Sequence, residues 1–355
     1  MIKIFSNKDP GTFLYAMINP VNIGIKGFNA ICGFEVFKGL ISGVFYQRRL
    51  FSNVFFCYYC SIKSLSPKWK EDAMFENFIY ENMPYRLTGY LWNVDSPKKV
   101  FCIIHGIGEH AGRYDRMAGY LTDAGIAVVS MDLPGHGLTD GRRGDTAPRE
   151  KVFEAVDAML DYARAKYPGV PIILYGHSMG GNIALDYRNR GGLDLLPEKY
   201  IVSAPWLRLV REVPPALYIA LKAASRIAPK LAMRSECKTE DLGNMEIVAG
   251  YSTDPLVHGD ITLRTAVDCF EIGDAITRGV NKKDGLAYGK PFLLMHGSDD
   301  KICSVEATRE FAARYRNNDW FKYIEWPGYY HEIHNGGPNA TGEEVIETIR
   351  DFVLE

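Results

Sequence analysis

Residues 171–185 read Pro-Ile-Ile-Leu-Tyr-Gly-His-Ser-Met-Gly-Gly-Asn-Ile-Ala-Leu and place Ser178 between two glycines. The apolar run Ile172–Leu174 has the length and β-branched content of a buried parallel strand, and a helical pattern follows the serine directly. Gly176 and Gly180 lack Cβ atoms where the backbone must pass close by, so the serine can occupy a strained strand-to-helix turn. The pattern predicts a nucleophile elbow. The alternative is a glycine-rich turn with an incidental serine.

A second glycine-containing loop can complete such a site. The apolar run Val100–Ile104 leads into the loop His105–His110. Acyl transfer needs two converging N–H groups to hold a negative oxygen, and we expect them from Met179 and Ile107. Two histidines and Glu109 in the loop also raise the possibility of a metal site, but their spacing fits no usual ligand set.

An acid and a base are expected after the last two strands. Asp299 and Asp300 follow one apolar run, and a carboxylate in this position can hold a histidine in the required tautomer. His331 and His334 follow the next run. At this point the two aspartates compete for one role, and the two histidines for the other. The order serine, aspartate, histidine along the chain is that of α/β hydrolases.

The alternation of apolar runs and helical patterns predicts the fold class. Strands alternating with helices indicate an α/β protein with a mostly parallel, doubly wound sheet, whose site lies at the carboxyl ends of the strands. Further elements are expected as strands over Ala127–Asp132 and Tyr200–Ala204, a helix over residues 152–163, and a β-hairpin formed by Phe75–Tyr80 and Tyr85–Trp92.

The alternation stops between about residues 205 and 289, after the sixth predicted strand. This segment is rich in helical pattern, and we expect it to form a helical cap beside the site. Lys222, Arg226 and Lys230 recur every four residues and predict one basic stripe. The stripe is either a solvated face or the cationic edge of a lid that meets a lipid interface. Residues 66–355 are expected to form the catalytic domain, and residues 1–65 an extension of uncertain structure.

Composition restricts the classes of partner and compartment. The chain has 355 residues, 47% of them hydrophobic and 24% charged, with a net charge of -2. This balance gives no overall field favouring nucleic acid or an anionic membrane. Seven scattered cysteines predict no disulfide framework, and Cys57 and Cys60 lack the second pair that a metal site would need. No signal peptide or transmembrane helix is predicted, and a reducing compartment, the cytoplasm, is expected.

From about Phe75 to its end, the chain resembles the monoacylglycerol lipase and lysophospholipase group of α/β hydrolases, which is also described as serine aminopeptidase-like. The motifs that carry the resemblance are His105-Gly-Ile-Gly-Glu-His110 with Arg113-Tyr114, Gly135-His-Gly137, Gly176-His-Ser-Met-Gly-Gly181, Asp254-Pro-Leu-Val-His258, Gly297-Ser-Asp-Asp300 and Tyr330-His-Glu332.

The resemblance implies a role for each matching residue. Ser178 corresponds to the nucleophile, Asp300 to the acid and His331 to the base, and Ile107 and Met179 correspond to the oxyanion-hole donors. No metal or organic cofactor is implied. The substrate is expected to be a lipid ester, a monoacylglycerol or lysophospholipid. Its expected contacts are His105, Gly106 and His177 and, from the Leu- and Ile-rich cap, Leu217 and Leu221.

Other functions remain open at this stage. The same triad could serve an aminopeptidase-like enzyme or a carboxylesterase acting on small esters, and the chain could be a binding module without activity. An aminopeptidase needs acidic residues that anchor the substrate amine, whereas a lipase needs an apolar channel. The expected partner is a small lipid ester, with no nucleic acid. The cap could also make peripheral contact with a membrane, and the oligomeric state is left open.

Overall fold

The computed structural model describes residues 74–355, apart from positions 82, 147, 235–236 and 281–288. The predicted extension over residues 1–65 lies outside the described residues, and so does the pair Cys57 and Cys60.

The described chain forms a large sheet of eight strands in the order β1-β2-β4-β3-β5-β6-β9-β10. The strands are β1 (Glu76–Ile79), β2 (Thr88–Trp92), β3 (Lys99–Ile104), β4 (Ile126–Met131), β5 (Ile172–His177), β6 (Lys199–Ser203), β9 (Phe292–Gly297) and β10 (Phe321–Trp326). The pairs β1–β2 and β2–β4 are antiparallel and the other neighbours are parallel. The predicted hairpin and the mostly parallel sheet are therefore confirmed.

Helices cover both faces of this sheet. They are α1 (Asp115–Asp123), α2 (Arg149–Lys166), α3 (Met179–Arg190), α6 (Leu263–Arg278), α7 (Val305–Ala313) and α8 (Glu343–Leu354). Apolar residues of α2, α3, α6 and α7 pack against one face, and those of α1 and α8 pack against the other. Apart from Lys99 at the start of β3, the central strands β3, β4 and β5 are buried because both faces are covered, which explains their continuous apolar sequences. The sheet is doubly wound, as predicted.

Besides two short 3₁₀ helices, Thr239–Asp241 and Ala249–Thr253, the segment between β6 and β9 contains further described helices and strands. These are α4 (Pro215–Ile227), β7 (Ala232–Arg234), α5 (Met245–Val248) and β8 (Asp260–Thr262), followed by α6. A helical cap therefore follows the sixth strand, as expected. β7 and β8 pair antiparallel in a small second sheet. Helix α4 contains no buried residue, so it covers the molecule without becoming part of its core.

The prediction of one basic stripe is wrong. Helix α4 ends at Ile227, so Lys230 lies beyond the helix that carries Lys222 and Arg226. Lys222 also forms an ion pair with Glu271 of helix α6, which neutralises its charge at the surface. The prediction was wrong because the four-residue spacing of basic residues in the sequence continues to Lys230, whereas the helix ends at Ile227.

Candidate active site

Ser178 lies at the sharp turn between β5 and α3. Its backbone has φ 56° and ψ -117°, a conformation that is rare for a residue with a Cβ atom. Such strain costs on the order of 1–3 kcal/mol and is concentrated at functional sites. A Cβ at Gly176 would lie 2.2 Å from the Gly180 carbonyl oxygen, and one at Gly180 would lie 2.0 Å from the Ile104 carbonyl oxygen. The two glycines are therefore sterically required by the turn.

Hydrogen bonds from the neighbouring segment hold this turn. The Ser178 N–H donates to the Ser203 carbonyl at the end of β6, at 3.0 Å. The Ser178 carbonyl accepts the N–H of Trp206, also at 3.0 Å, just where the cap begins. The strained conformation is thus fixed by the sheet on one side and by the start of the cap on the other.

Asp300 is the candidate acid, and His331 is the candidate base. Asp300 follows β9, and its Oδ2 lies 2.7 Å from Nδ1 of His331. Burial by itself would raise the pKa of Asp300, but the neighbouring His331 and hydrogen bonds from His296 and His331 hold it well below its ordinary range. Burial lowers the pKa of His331, but Asp300 outweighs burial, so that the pKa of the imidazole lies above its ordinary value.

The structure distinguishes the two members of each competing pair. Asp299 is exposed and accepts a hydrogen bond from the Ser298 hydroxyl, whereas Asp300 is buried against His331. His334 is buried and stacks on the ring of Tyr114 with 5.3 Å between centroids. Burial lowers the pKa of His334 to about 4, so this imidazole is neutral at physiological pH.

The loop after β3 passes directly beside Ser178. A Cβ at Gly106 would lie 3.2 Å from the Cβ of Ser178. The Gly106 N–H is already engaged, because it donates to Oε1 of Glu109 at 2.6 Å. Neither the Ile107 N–H nor the Met179 N–H donates to another group among the described residues. These two donors thus remain available next to the serine, which is the requirement for holding an oxyanion.

A cavity of about 260 Å³ joins several of these residues. Its lining includes Gly106, Ile107, His177, Ser178 and His331. Three of the predicted substrate contacts, His105, Leu217 and Leu221, are not among the described residues that line it.

The residues outside this cavity occupy other positions. His105 is fully buried and holds the loop through Nδ1, which donates to the Gly106 carbonyl, and Nε2, which accepts the Leu133 N–H. Leu217 lies on the exposed helix α4 with 51% of its surface accessible, and Leu221 is on the same helix. The structure thus places His105 behind the loop and the two leucines away from the cavity.

A charged cluster on the cavity wall was not predicted. Nη1 of Arg113 lies 2.6 Å from a Glu109 carboxylate oxygen and 2.7 Å from a Glu332 oxygen, and Nη2 makes a second contact with Glu332. The guanidinium also stacks on the ring of Tyr251, 4.6 Å from its centroid. Burial would raise the pKa of Glu332, but Arg113 holds it well below its ordinary range. In this cluster of Arg113, Glu109 and Glu332, one guanidinium therefore binds two carboxyl groups.

Two further contacts were also missed. His296, the fifth residue of β9, places Nε2 3.0 Å from Oδ2 of Asp300 and Nδ1 2.8 Å from the Thr308 hydroxyl. His110 places Nε2 2.8 Å from Oδ2 of Asp254, which ties the core to the cap. For the contact between His296 and Asp300, the available sequence signal was the position of the histidine four residues before the aspartate.

Among the described residues, no group of three His, Cys, Asp or Glu side chains is arranged to hold a metal ion. In the same part of the chain, no helix is long and apolar enough to cross a lipid bilayer.

Comparison with known proteins places this chain among ester hydrolases. Residues 95–337 match the family described as "Serine aminopeptidase, S33". The chain is 29% identical over 255 residues to a monoacylglycerol lipase of Mycolicibacterium smegmatis, covering 70% of this chain and 87% of the relative. It is 30% identical over 273 residues to the phospholipase YtpA of Bacillus subtilis, covering 74% of this chain and 98% of the relative.

Solved structures agree with these sequence matches. The chain is similar to the crystal structure of Paleococcus ferrophilus monoacylglycerol lipase, with a TM-score of 0.65 and 26% identity. The match covers 77% of this chain and 99% of that one. A soluble variant of monoglyceride lipase from Saccharomyces cerevisiae matches with a TM-score of 0.67 and 22% identity, over 79% of this chain and 94% of that one. The second match supports the fold alone.

Proposed function

Because the chain belongs to the serine aminopeptidase S33 family of α/β hydrolases, we propose that it is a serine hydrolase that cleaves carboxylic esters of lipid-like substrates. The observation that carries this proposal is the cavity shared by Ser178 and His331, with Asp300 behind the histidine. The names of the relatives support a lipid ester as substrate.

We infer a mechanism in which Ser178 attacks the ester carbonyl. His331 takes the serine proton at Nε2 as the bond from Oγ to the carbonyl carbon forms, and Asp300 stabilises the resulting imidazolium. The Ile107 and Met179 N–H groups hold the negative oxygen. The imidazolium then gives its proton to the leaving alcohol as the ester bond breaks, leaving an acyl-enzyme. Water then attacks the acyl carbon while His331 takes its proton, and the imidazolium returns a proton to Oγ of Ser178 as the bond to the acyl group breaks and the acid leaves.

The charged cluster favours a neutral head group over a phosphate. Arg113 is the cation of this wall, and it already binds both Glu109 and Glu332. It lowers the pKa of Glu332, whereas burial raises the pKa of Glu109, so the guanidinium charge is balanced within the cluster. A phosphate would therefore find no free cation in this cluster, whereas hydroxyl groups of a substrate can donate to the carboxyl oxygens. We therefore propose monoacylglycerol in preference to lysophospholipid.

The same contacts argue against an aminopeptidase. Each of the four acidic side chains in the described lining has a basic partner. Glu109 and Glu332 bind Arg113, Asp254 binds His110, and Asp260 pairs with Arg234 at 4.0 Å. A peptidase would need such a carboxylate to be available for the substrate amine. An ester substrate has no amine and therefore needs no free carboxylate in the cavity.

The cap is the proposed point of contact with a membrane. Helix α4 buries no residue, and Leu217, Ile219 and Ile227 of this helix are 51%, 68% and 87% exposed. An exposed apolar helix face of this kind is typical of a segment that lies in a lipid interface. This contact would be peripheral.

An activity panel tests the proposed reaction. We expect turnover of p-nitrophenyl esters and monoacylglycerols, weaker turnover of lysophospholipids and none of aminoacyl amides. A fluorophosphonate probe should label the wild-type chain once and fail to label a Ser178→Ala variant that retains its thermal midpoint. Labelling that survives the substitution, or turnover confined to the amides, would overturn the proposal.

A further inference from the structure

A second cavity, of about 440 Å³, lies where the cap meets the core, and the proposed reaction does not use it. The core contributes residues of the loop between β4 and α2 and the first turn of α2. The cap contributes Lys230, which follows α4, and Arg264, in the first turn of α6. The charged residues of the lining are Asp140, Arg142, Asp145, Lys151, Lys230 and Arg264.

The charges of this cavity are unevenly paired. Arg264 contacts both oxygens of Asp145 at 2.5 Å, so these two charges neutralise each other. Asp140 accepts the backbone N–H of Arg86 at 3.2 Å. No ion pair forms between Arg142, Lys151 or Lys230 and any other described residue. With Asp140 counted against these three cations, the cavity has an excess of two positive charges.

Two further donors point to an anionic ligand. The 18-residue helix α2 begins at the cavity without a side-chain cap, because its N-cap residue Pro148 has no side-chain acceptor for the N–H groups of the first turn. The Tyr85 hydroxyl, also in the lining, is buried without a hydrogen-bond partner among the described residues. A helix N-terminus with several basic side chains is the arrangement that binds phosphate oxygens.

Two exposed apolar residues lie near Lys230 in the chain. Ile227 and Leu231, on either side of Lys230 in the chain, are 87% and 54% exposed. Because apolar side chains gain from entering lipid and basic ones gain from anionic head groups, the two features favour one kind of partner. We propose that this cavity binds the phosphate head group of an anionic phospholipid at a membrane surface, while Ile227 and Leu231 enter the lipid.

Vesicle flotation of the full chain tests this proposal. The chain would carry Ser178→Ala, so that binding is measured without turnover, and vesicles would contain phosphatidylcholine alone or an equal mixture with phosphatidylglycerol. We expect preferential binding to the mixed vesicles. Each basic side chain near an anionic surface contributes about fivefold to partitioning, so Arg142→Gln, Lys151→Gln and Lys230→Gln together should weaken binding on the order of 100-fold.

A matched control removes the same charge elsewhere. Arg316, Lys322 and Lys166 are exposed and form no ion pair with another described residue, and changing all three to Gln should alter binding less than threefold. Replacing Ile227 and Leu231 by Ser should weaken binding to both kinds of vesicle while keeping the preference for the mixed ones. Equal losses in the two triple variants, or no preference for phosphatidylglycerol, would overturn the proposal.

The thermal midpoint separates a lipid site from a site for a soluble anion. The cavity triple variant should keep its midpoint within about 2 °C of the control, because its three side chains lack ion pairs with the described residues. Stabilisation of the wild-type chain by inorganic phosphate without a preference for anionic vesicles would also overturn the assignment to a lipid.

Discussion

Oδ2 of Asp300 lies 2.7 Å from Nδ1 of His331, and this contact fixes both partners. The other oxygen, Oδ1, accepts the N–H groups of Ile302 and Cys303 at 2.7 Å and 3.0 Å. With both oxygens engaged, the carboxylate has one orientation. An imidazole that donates from Nδ1 to it keeps an unprotonated Nε2, which is the state that a general base needs.

The first prediction compares the two neighbouring aspartates. Asp300→Asn should lower kcat for a p-nitrophenyl ester by on the order of 10⁴-fold, because an amide can leave His331 in the wrong tautomer. Asp299→Asn, at an exposed side chain, should leave kcat within about twofold. Steady-state kinetics of both purified variants provides the measurement. Similar losses at the two positions would mean that Asp300 has no special role.

The second prediction concerns pH. Because Asp300 raises the pKa of His331 above its ordinary 6.5, kcat/KM should rise with pH through a value above 6.5 as the imidazole loses its proton. The contribution of this histidine to stability has the opposite sign. It is fully present below pH 6.5 and is lost as pH rises through the raised pKa.

A pH–rate profile of the soluble ester reaction measures the first effect. In Asp300→Asn the residual activity should show its rising limb at lower pH, because the charge that raises the pKa is gone. A limb that stays in place would show that another group controls the profile.

The third prediction tests the strained turn. Gly180→Ala introduces a Cβ that would lie 2.0 Å from the Ile104 carbonyl oxygen, so the backbone must shift. We expect destabilisation of about 1–3 kcal/mol or more and a large loss of turnover. Gly250→Ala is the control, because nothing lies within 4 Å of a Cβ at that glycine. Denaturant unfolding and ester hydrolysis of both variants check this, and an unimpaired Gly180→Ala enzyme would contradict it.

Features that depend on local sequence were predictable. The continuous apolar runs of the central strands, such as Val100–Ile104, reflect burial on both faces, so their strand assignment followed directly. The turn around Ser178 was also predictable, because its geometry requires glycines at fixed offsets. In α/β hydrolases the acid follows one late strand and the histidine follows the next, and this rule gave two candidates for each role. Only the contact between Asp300 and His331 decides which candidate has the role.

Features that depend on contacts between distant segments were not predictable. Arg113 and Glu332 are 219 positions apart, and no local pattern indicates that they meet. Leu217 was expected at the substrate because the cap is rich in Leu and Ile, yet it lies on an exposed helix that buries none of its residues. Periodicity identifies an apolar face, but it does not tell whether that face meets the cavity, the core or a membrane.

The fourth prediction concerns Arg113. Arg113→Met removes the cation from two buried carboxylates, Glu109 and Glu332, and breaking a buried ion pair in this way costs about 3–5 kcal/mol. The loss should be smallest at low pH, where the carboxylates can take up protons, and should grow as pH rises. Adding Glu332→Gln should recover part of it, because one uncompensated charge is removed. Urea unfolding at several pH values measures each step.

Arg309→Met is the matched control for this experiment. Arg309 also contacts two carboxylates, Glu325 at 2.6 Å and Glu306 at 3.4 Å, but its side chain is 47% exposed. Solvent screens such a pair, so its loss should change the free energy of unfolding by less than about 1 kcal/mol. If the two methionine variants lost the same stability, burial would not be what makes the Arg113 cluster important.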